Sequence, residues 1–191
     1  FEPGNFIALL NLGVVYSTTG DPVKAKDYFL KAYAINPDSP DLCNNLGALF
    51  SNEGNRKEAL SYFNRALELD SSNVVHITQL GEEYARAGQV SKALPHLRRA
   101  MSLSPDNPII LFWLGNCFAS SENLDSAAYY YDLAVEKGGT ASDLMYFRGR
   151  VKQRLNLMDD AEESYKLAIK QDSQNVNCLQ SLGMIYLNSE R

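Results

Sequence analysis

The seven residues Arg148 to Arg154, RGRVKQR, hold four cations and no acid, in a 191-residue chain whose formal net charge is -5. Tyr146 and Phe147 precede them directly, and a second aromatic pair, Phe112 and Trp113, stands 34 residues earlier. A guanidinium can pair with a carboxylate and can also lie on an aromatic face; aromatic and arginine side chains are the usual anchors of protein interfaces. The chemistry on offer is recognition of a partner's acidic and apolar groups. Bond-making chemistry has no comparable footing. The sequence holds no GxxxxGK-Ser/Thr loop to cradle phosphates, no HExxH pair for zinc, no GxSxG nucleophile turn and no GxGxxG fingerprint. Its two histidines, His76 and His96, stand at no ligand spacing from a cysteine. The pairs Glu82-Glu83, Asp159-Asp160 and Glu162-Glu163 read as solvated helix faces, since a glycosidase-type pair needs a cleft that pushes two carboxyl pKa values apart. The expectation is a protein that is not an enzyme and that needs no metal or cofactor.

Composition narrows the partners further. Apolar residues make up 45% of the chain and charged residues 21%, a globular profile. An acidic balance argues against a general nucleic-acid binder. Cys43, Cys117 and Cys178 are odd in number and far apart, a poor disulfide framework. Buried thiols in a reducing compartment are expected, which favours the cytoplasm, although a reduced periplasmic protein would look the same. No stretch reaches the roughly 18 apolar residues of a membrane span, because the best candidate, Phe6 to Tyr16, is broken by Asn11. No insertion into a membrane is expected.

The elements that must position these residues are set by a repeat. Glycines at 13, 47, 81, 115, 149 and 183 recur every 34 residues, the signature of a stacked helical array. With this glycine as position 8, repeats cover 6–39, 40–73, 74–107, 108–141 and 142–175, and 176–191 holds one further helix. Position 20 is Ala25, Ala59, Ala93, Ala127 and Ala161; position 27 is Ala32, Ala66, Ala100, Ala134 and Ala168. Position 24 is large: Phe29, Phe63, Leu97, Tyr131 and Tyr165. Position 11 is aromatic except at Lys152, and position 32 is Pro37 and Pro105 in two repeats. Positions 4, 7, 8 and 11 share one face of a first helix, so small residues fall where two helices approach and large ones fill the space beside them. In the first repeat the spacing predicts helices over Ile7 to Thr18 and Pro22 to Ile35, turned at Gly20-Asp21 and stopped at Asn36-Pro37.

These positions make the chain resemble the tetratricopeptide repeat family along its whole length. The resemblance implies an all-α fold, a right-handed α-α superhelix (solenoid) of 34-residue helix-turn-helix repeats, here as a single domain. Phe1, Pro3 and Asn5 align with Ile35, Pro37 and Ser39, the tail of a preceding repeat, and 176–191 has no second helix. A stretch cut from a longer array is the expectation; a short protein with frayed ends is the other reading.

In this family the first helix of each repeat lines a concave groove that takes an extended peptide or a partner's helix. Carried onto this sequence, the groove residues are of two kinds. The first half offers amides: Asn11, Asn44, Asn45 and Gln79, which could pair with a peptide backbone. Asn11 and Asn45 resemble the asparagine ladder of O-GlcNAc transferase, but Gln79, Trp113, Phe147 and Ser181 depart from it. The carboxylate clamp of chaperone-binding members fares worse, because Leu10, Val14, Val75 and Gln79 stand in its positions and only Asn45 fits. The second half offers Phe112, Trp113, Asn116, Tyr146, Phe147, Arg150 and Arg154. Together these imply a non-catalytic scaffold or adaptor whose protein or peptide partner carries acidic and aromatic or aliphatic anchors. Arg148 and Lys152 occupy packing positions and have two readings: groove cations, or stems whose charged heads meet Asp132, Asp159, Glu162 or Glu163. Two alternatives stand beside the scaffold. The repeats could select substrates for a larger enzyme such as a protein glycosyltransferase. Or the uncapped last helix, with Leu179, Leu182 and Tyr186, could make a homo-oligomer.

Overall fold

The computed structural model describes residues 5–188. Phe1 and Pro3, on which part of the alignment with a preceding repeat rests, lie outside them. Among the described residues the chain forms α-helices and no strand, and it divides into two compact units at Ala87/Gly88. The first unit holds α1 (Phe6–Thr18), α2 (Pro22–Ile35), α3 (Pro40–Asn52), α4 (Arg56–Leu69) and α5 (Val74–Arg86). The second holds α6 (Val90–Leu103), α7 (Pro108–Ser120), α8 (Leu124–Glu136), α9 (Ser142–Arg154), α10 (Met158–Gln171) and α11 (Val176–Asn188). None of these helices is long and apolar enough to cross a membrane.

Local chemistry fixes where helices begin. The side chains of Asn5, Ser39, Asn73, Asn107 and Asn175 each accept a backbone N–H of the first turn that has no partner within the helix. Asn5 in this role starts α1 at Phe6, one residue earlier than the sequence pattern places it. Pro22, Pro40 and Pro108 open their helices, where a missing N–H costs nothing.

The 34-residue pattern becomes packing within each helix pair. A methyl group added at Gly47 would lie 2.6 Å from a ring carbon of Phe63, and at Gly115 2.6 Å from one of Tyr131. Gly13 and Gly149 face Phe29 and Tyr165 in the same way. All four rings are buried, as are the alanines at positions 20 and 27. Burying such a ring contributes about 1.5–3 kcal/mol. Flanking helices complete the cores: Leu42 and Leu46 close over Phe29 in the first unit, and Leu111, Leu144 and Val151 surround Tyr131 in the second.

Candidate partner-binding surface

The first unit sets its amides on three first-position helices: exposed Asn11 on α1, half-buried Asn44 and Asn45 on α3, and half-buried Gln79 on α5. Asn44 Oδ1 is buried without a hydrogen-bond partner among the described residues. His76, 1% exposed on α5, sets Nε2 3.5 Å from Asp41, so it is a packed histidine beside one carboxylate. Of the acidic pairs, Glu83 is buried and accepts from Ser51 and Arg56, while Glu82 pairs with Arg86 and Glu162 with Lys166.

The second unit divides the four cations of α9. Arg148 donates to Asp132 (2.6 Å) and to Ser164 Oγ (2.6 Å), and Lys152 pairs with Asp132 (2.7 Å) and Asp160 (3.6 Å). Lys152 is only 7% exposed. These two cations are internal, held mainly by Asp132 of α8, as the packing reading of the sequence has it.

The other two face a cleft of about 240 Å³ between α7, α8 and α9, lined by Asn116, Glu122, Tyr131, Phe147, Arg150 and Arg154. Arg154 forms a forked pair with Glu122, which lies 32 residues earlier in the α7–α8 turn. The guanidinium holds the Glu122 carboxyl below its ordinary range by hydrogen bond and charge. Arg150 carries no ion pair among the described residues; its guanidinium carbon lies 5.6 Å from the ring centre of Tyr146 and 5.9 Å from that of Phe147. A cation so placed is attracted by both rings and keeps its N–H edge free for an acceptor.

From Phe147 on the cleft wall the aromatic surface continues onto α7 and along α9. Phe112 stands 6.0 Å from Phe147 and 5.1 Å from Trp113, and Tyr146 stands 5.3 Å from Phe147. Seven of the sequence-read residues thus form one continuous surface on α7 and α9, and the four amides of the first unit are separate from it in the chain. Two cleft residues escape a reading by groove position. Tyr131 sits at a core position, yet its hydroxyl reaches Asn116 Oδ1 (2.7 Å), and burial pushes its pKa up so that it stays a donor. Glu122 lies in a turn, outside the first helix altogether. Cys117 lies next to Asn116 but is buried, and burial lifts its thiol to about 11, so it is neutral and shielded.

Comparison with known proteins agrees with the repeat pattern. Tetratricopeptide repeat family models match residues 7–39, 40–73, 78–143 and 142–175. No curated protein sequence matches. Among solved structures, the Cut9–Hcn1 hetero-tetramer of the APC/C superposes over 100% of this chain with a TM-score of 0.92 and 18% identity. This chain spans 38% of the length of that one. PilW, a type IV pilus biogenesis factor, gives a TM-score of 0.81 at 22% identity over 95% of this chain and 84% of its own. YrrB, described as a TPR protein with an unusual peptide-binding site, gives 0.67 at 22% identity over 94% and 93%. Identities this low carry the fold alone, an all-α superhelix of helical hairpins. The family models carry the rest: the chain belongs to the tetratricopeptide repeat family.

Proposed function

We propose that the chain is a non-catalytic interaction module and that the α7–α9 surface grips a segment of a partner protein bearing an acidic group and an aliphatic or aromatic anchor. One observation carries this reading. Arg150 lies over two aromatic rings, without a carboxylate of its own, on the wall of a cleft. Left in water such an arginine is idle; beside a partner's carboxylate and apolar group it offers both a charge-assisted hydrogen bond and ring contact. Similar structures add support at the level of kind, since Cut9 was solved in a hetero-tetramer and YrrB is described with a peptide-binding site. The amides Asn11, Asn44, Asn45 and Gln79 would be a second, backbone-reading surface.

The test is capture from a native lysate by the wild-type chain and by a Trp113→Ala, Arg150→Glu variant, both first shown to be folded by circular dichroism. Proteins kept by the wild type and lost by the variant place the site on α7 and α9. Identical sets from both would remove the α7–α9 surface from consideration and move the search to the amides of the first unit.

A further inference from the structure

The turn between the two helices of a repeat needs a left-handed residue at position 15. Three repeats meet the need with glycine: Gly20 (φ +83°), Gly54 (φ +78°) and Gly88 (φ +70°). The fifth uses Asn156 (φ +61°), the side chain that best tolerates this region after glycine. The fourth uses Glu122 (φ +60°). A glutamate gains nothing locally from that backbone, and a Cβ there is strained against the following carbonyl. The space around these turns does not demand a side chain either, because among the described residues nothing lies within 4 Å of a Cβ built on Gly20, Gly54 or Gly88. Strain kept at a site is best read against what the side chain does. Here it reaches over the cleft to Arg154, and Glu122 and Arg154 are both cleft-lining residues. The cleft would otherwise present two unpaired guanidinium groups; with Glu122 in place it presents one, Arg150.

We propose that Glu122 is the specificity-determining residue of the cleft: by occupying Arg154 it sets the site to accept one singly charged side-chain carboxylate, with an apolar neighbour, and to reject phosphorylated segments. This rests on the α7–α9 surface being the partner site. With Glu122 and Arg154 neutralising each other, the cleft keeps a net charge of about +1 at Arg150, which one carboxylate balances, whereas a phosphate group, close to two negative charges at neutral pH, would leave one charge uncompensated. A cleft of about 240 Å³ has room for a single anchored side chain. From Phe147 on the cleft wall the aromatic surface continues through Phe112 and Trp113 on α7 and Tyr146 on α9, so a segment whose acidic residue sits in the cleft has apolar support beside it.

Trp113 is the only tryptophan in the chain, and its fluorescence reports the surface directly. The probes are the capped peptide acetyl-Ala-Phe-Glu-Ala-amide, the same peptide with phosphoserine or glutamine for glutamate, and Ala-Phe ending in a free carboxylate. The wild type should bind the glutamate peptide, prefer it to the phosphoserine peptide, and lose it on Arg150→Gln. In Glu122→Gln the preference should shift toward phosphoserine by about tenfold, the effect of removing one charge beside another. Glu122→Gly should shift it likewise without lowering the melting temperature, because glycine relieves the turn. An unchanged preference in Glu122→Gln, with binding still dependent on Arg150, overturns the role of Glu122 and leaves the partner site standing. A fall in melting temperature in Glu122→Gly with no change in preference makes the ion pair purely structural and also overturns it. Equal binding of the glutamine peptide, or binding only of the free terminus, overturns the side-chain carboxylate. If no peptide binds any variant, the partner site on α7 and α9 falls as well.

Discussion

At the scale of single residues, four glycines of position 8, Gly13, Gly47, Gly115 and Gly149, are set by contact rather than by backbone conformation. Gly115 is helical, and its missing side chain is the space that Tyr131 fills. Gly115→Ala should therefore cost about 1–3 kcal/mol through overpacking, although alanine is the better helix former. Its effect reaches the cleft, because displacing the Tyr131 ring also moves the hydroxyl that donates to Asn116. Chemical denaturation of wild type and variant measures the cost, and an unchanged midpoint would show that the ring can shift freely. This contact was legible in the sequence, since small and large residues alternate in phase over five repeats. Glu122 was not. Its meaning needs two facts that no groove numbering supplies: the left-handed backbone of its turn and the 32-residue reach to Arg154. The one available signal was a glutamate in a position that reads glycine in three other repeats.

At the scale of elements, α9 shows how one helix serves two surfaces. Successive cations at 148, 150, 152 and 154 are about 200° apart around a helix, so they alternate sides. Arg148 and Lys152, four residues apart, share the side turned to α8 and α10. Arg150 and Arg154, also four apart, share the side turned to the cleft. The sequence showed the run and the two positions where cations replace packing residues; it did not show which carboxylates would meet them. Asp132 meets both, and of the acids named from sequence it is the one that does so, with Asp160 beside it. Asp132 is partly exposed, so its removal should cost less than the 3–5 kcal/mol of a fully buried pair, about 2 kcal/mol. Asp132→Asn alone leaves Lys152 without its nearest charge in a buried site. The double variant Asp132→Asn, Lys152→Met removes that unpaired charge and should recover part of the loss, the remainder belonging to Arg148, which also pairs with Asp132. Urea denaturation of the two singles and the double closes the cycle, and additive losses would show that Asp132 and Lys152 do not interact.

At the scale of the whole molecule, a repeat array buries each helical layer under the next, so protection should follow how deeply each helix is buried. The structure shows the gradient within each unit. In the first, α1 buries only Leu9 and Gly13, whereas α3 buries Leu42, Cys43, Leu46, Gly47 and Leu49. Val15 of α1 is 52% exposed where its counterpart Leu49 in α3 is 5% exposed. In the second unit, α9 buries Leu144, Met145, Gly149, Val151 and Lys152. On α11, Cys178 and Ile185 are buried, Leu182 and Tyr186 are half-buried against α10, and Leu179 and Leu187 are 46% and 78% exposed. Among the described residues nothing lies within 4 Å of a Cβ at Gly183, although four other position-8 glycines each meet a ring. Amide hydrogen exchange in dilute solution should therefore be at least about tenfold faster in α1 than in α3, and in α11 than in α9, since local opening costs less where fewer apolar contacts are broken. Repeating the exchange at high protein concentration separates two causes of any departure. Rates in α11 that slow as concentration rises, together with a mass above 21.3 kDa, would mean that a second copy covers the exposed leucines. Rates in α11 that match α9 at every concentration would mean that its few buried contacts suffice, and that protection in this array does not follow the burial of its layers.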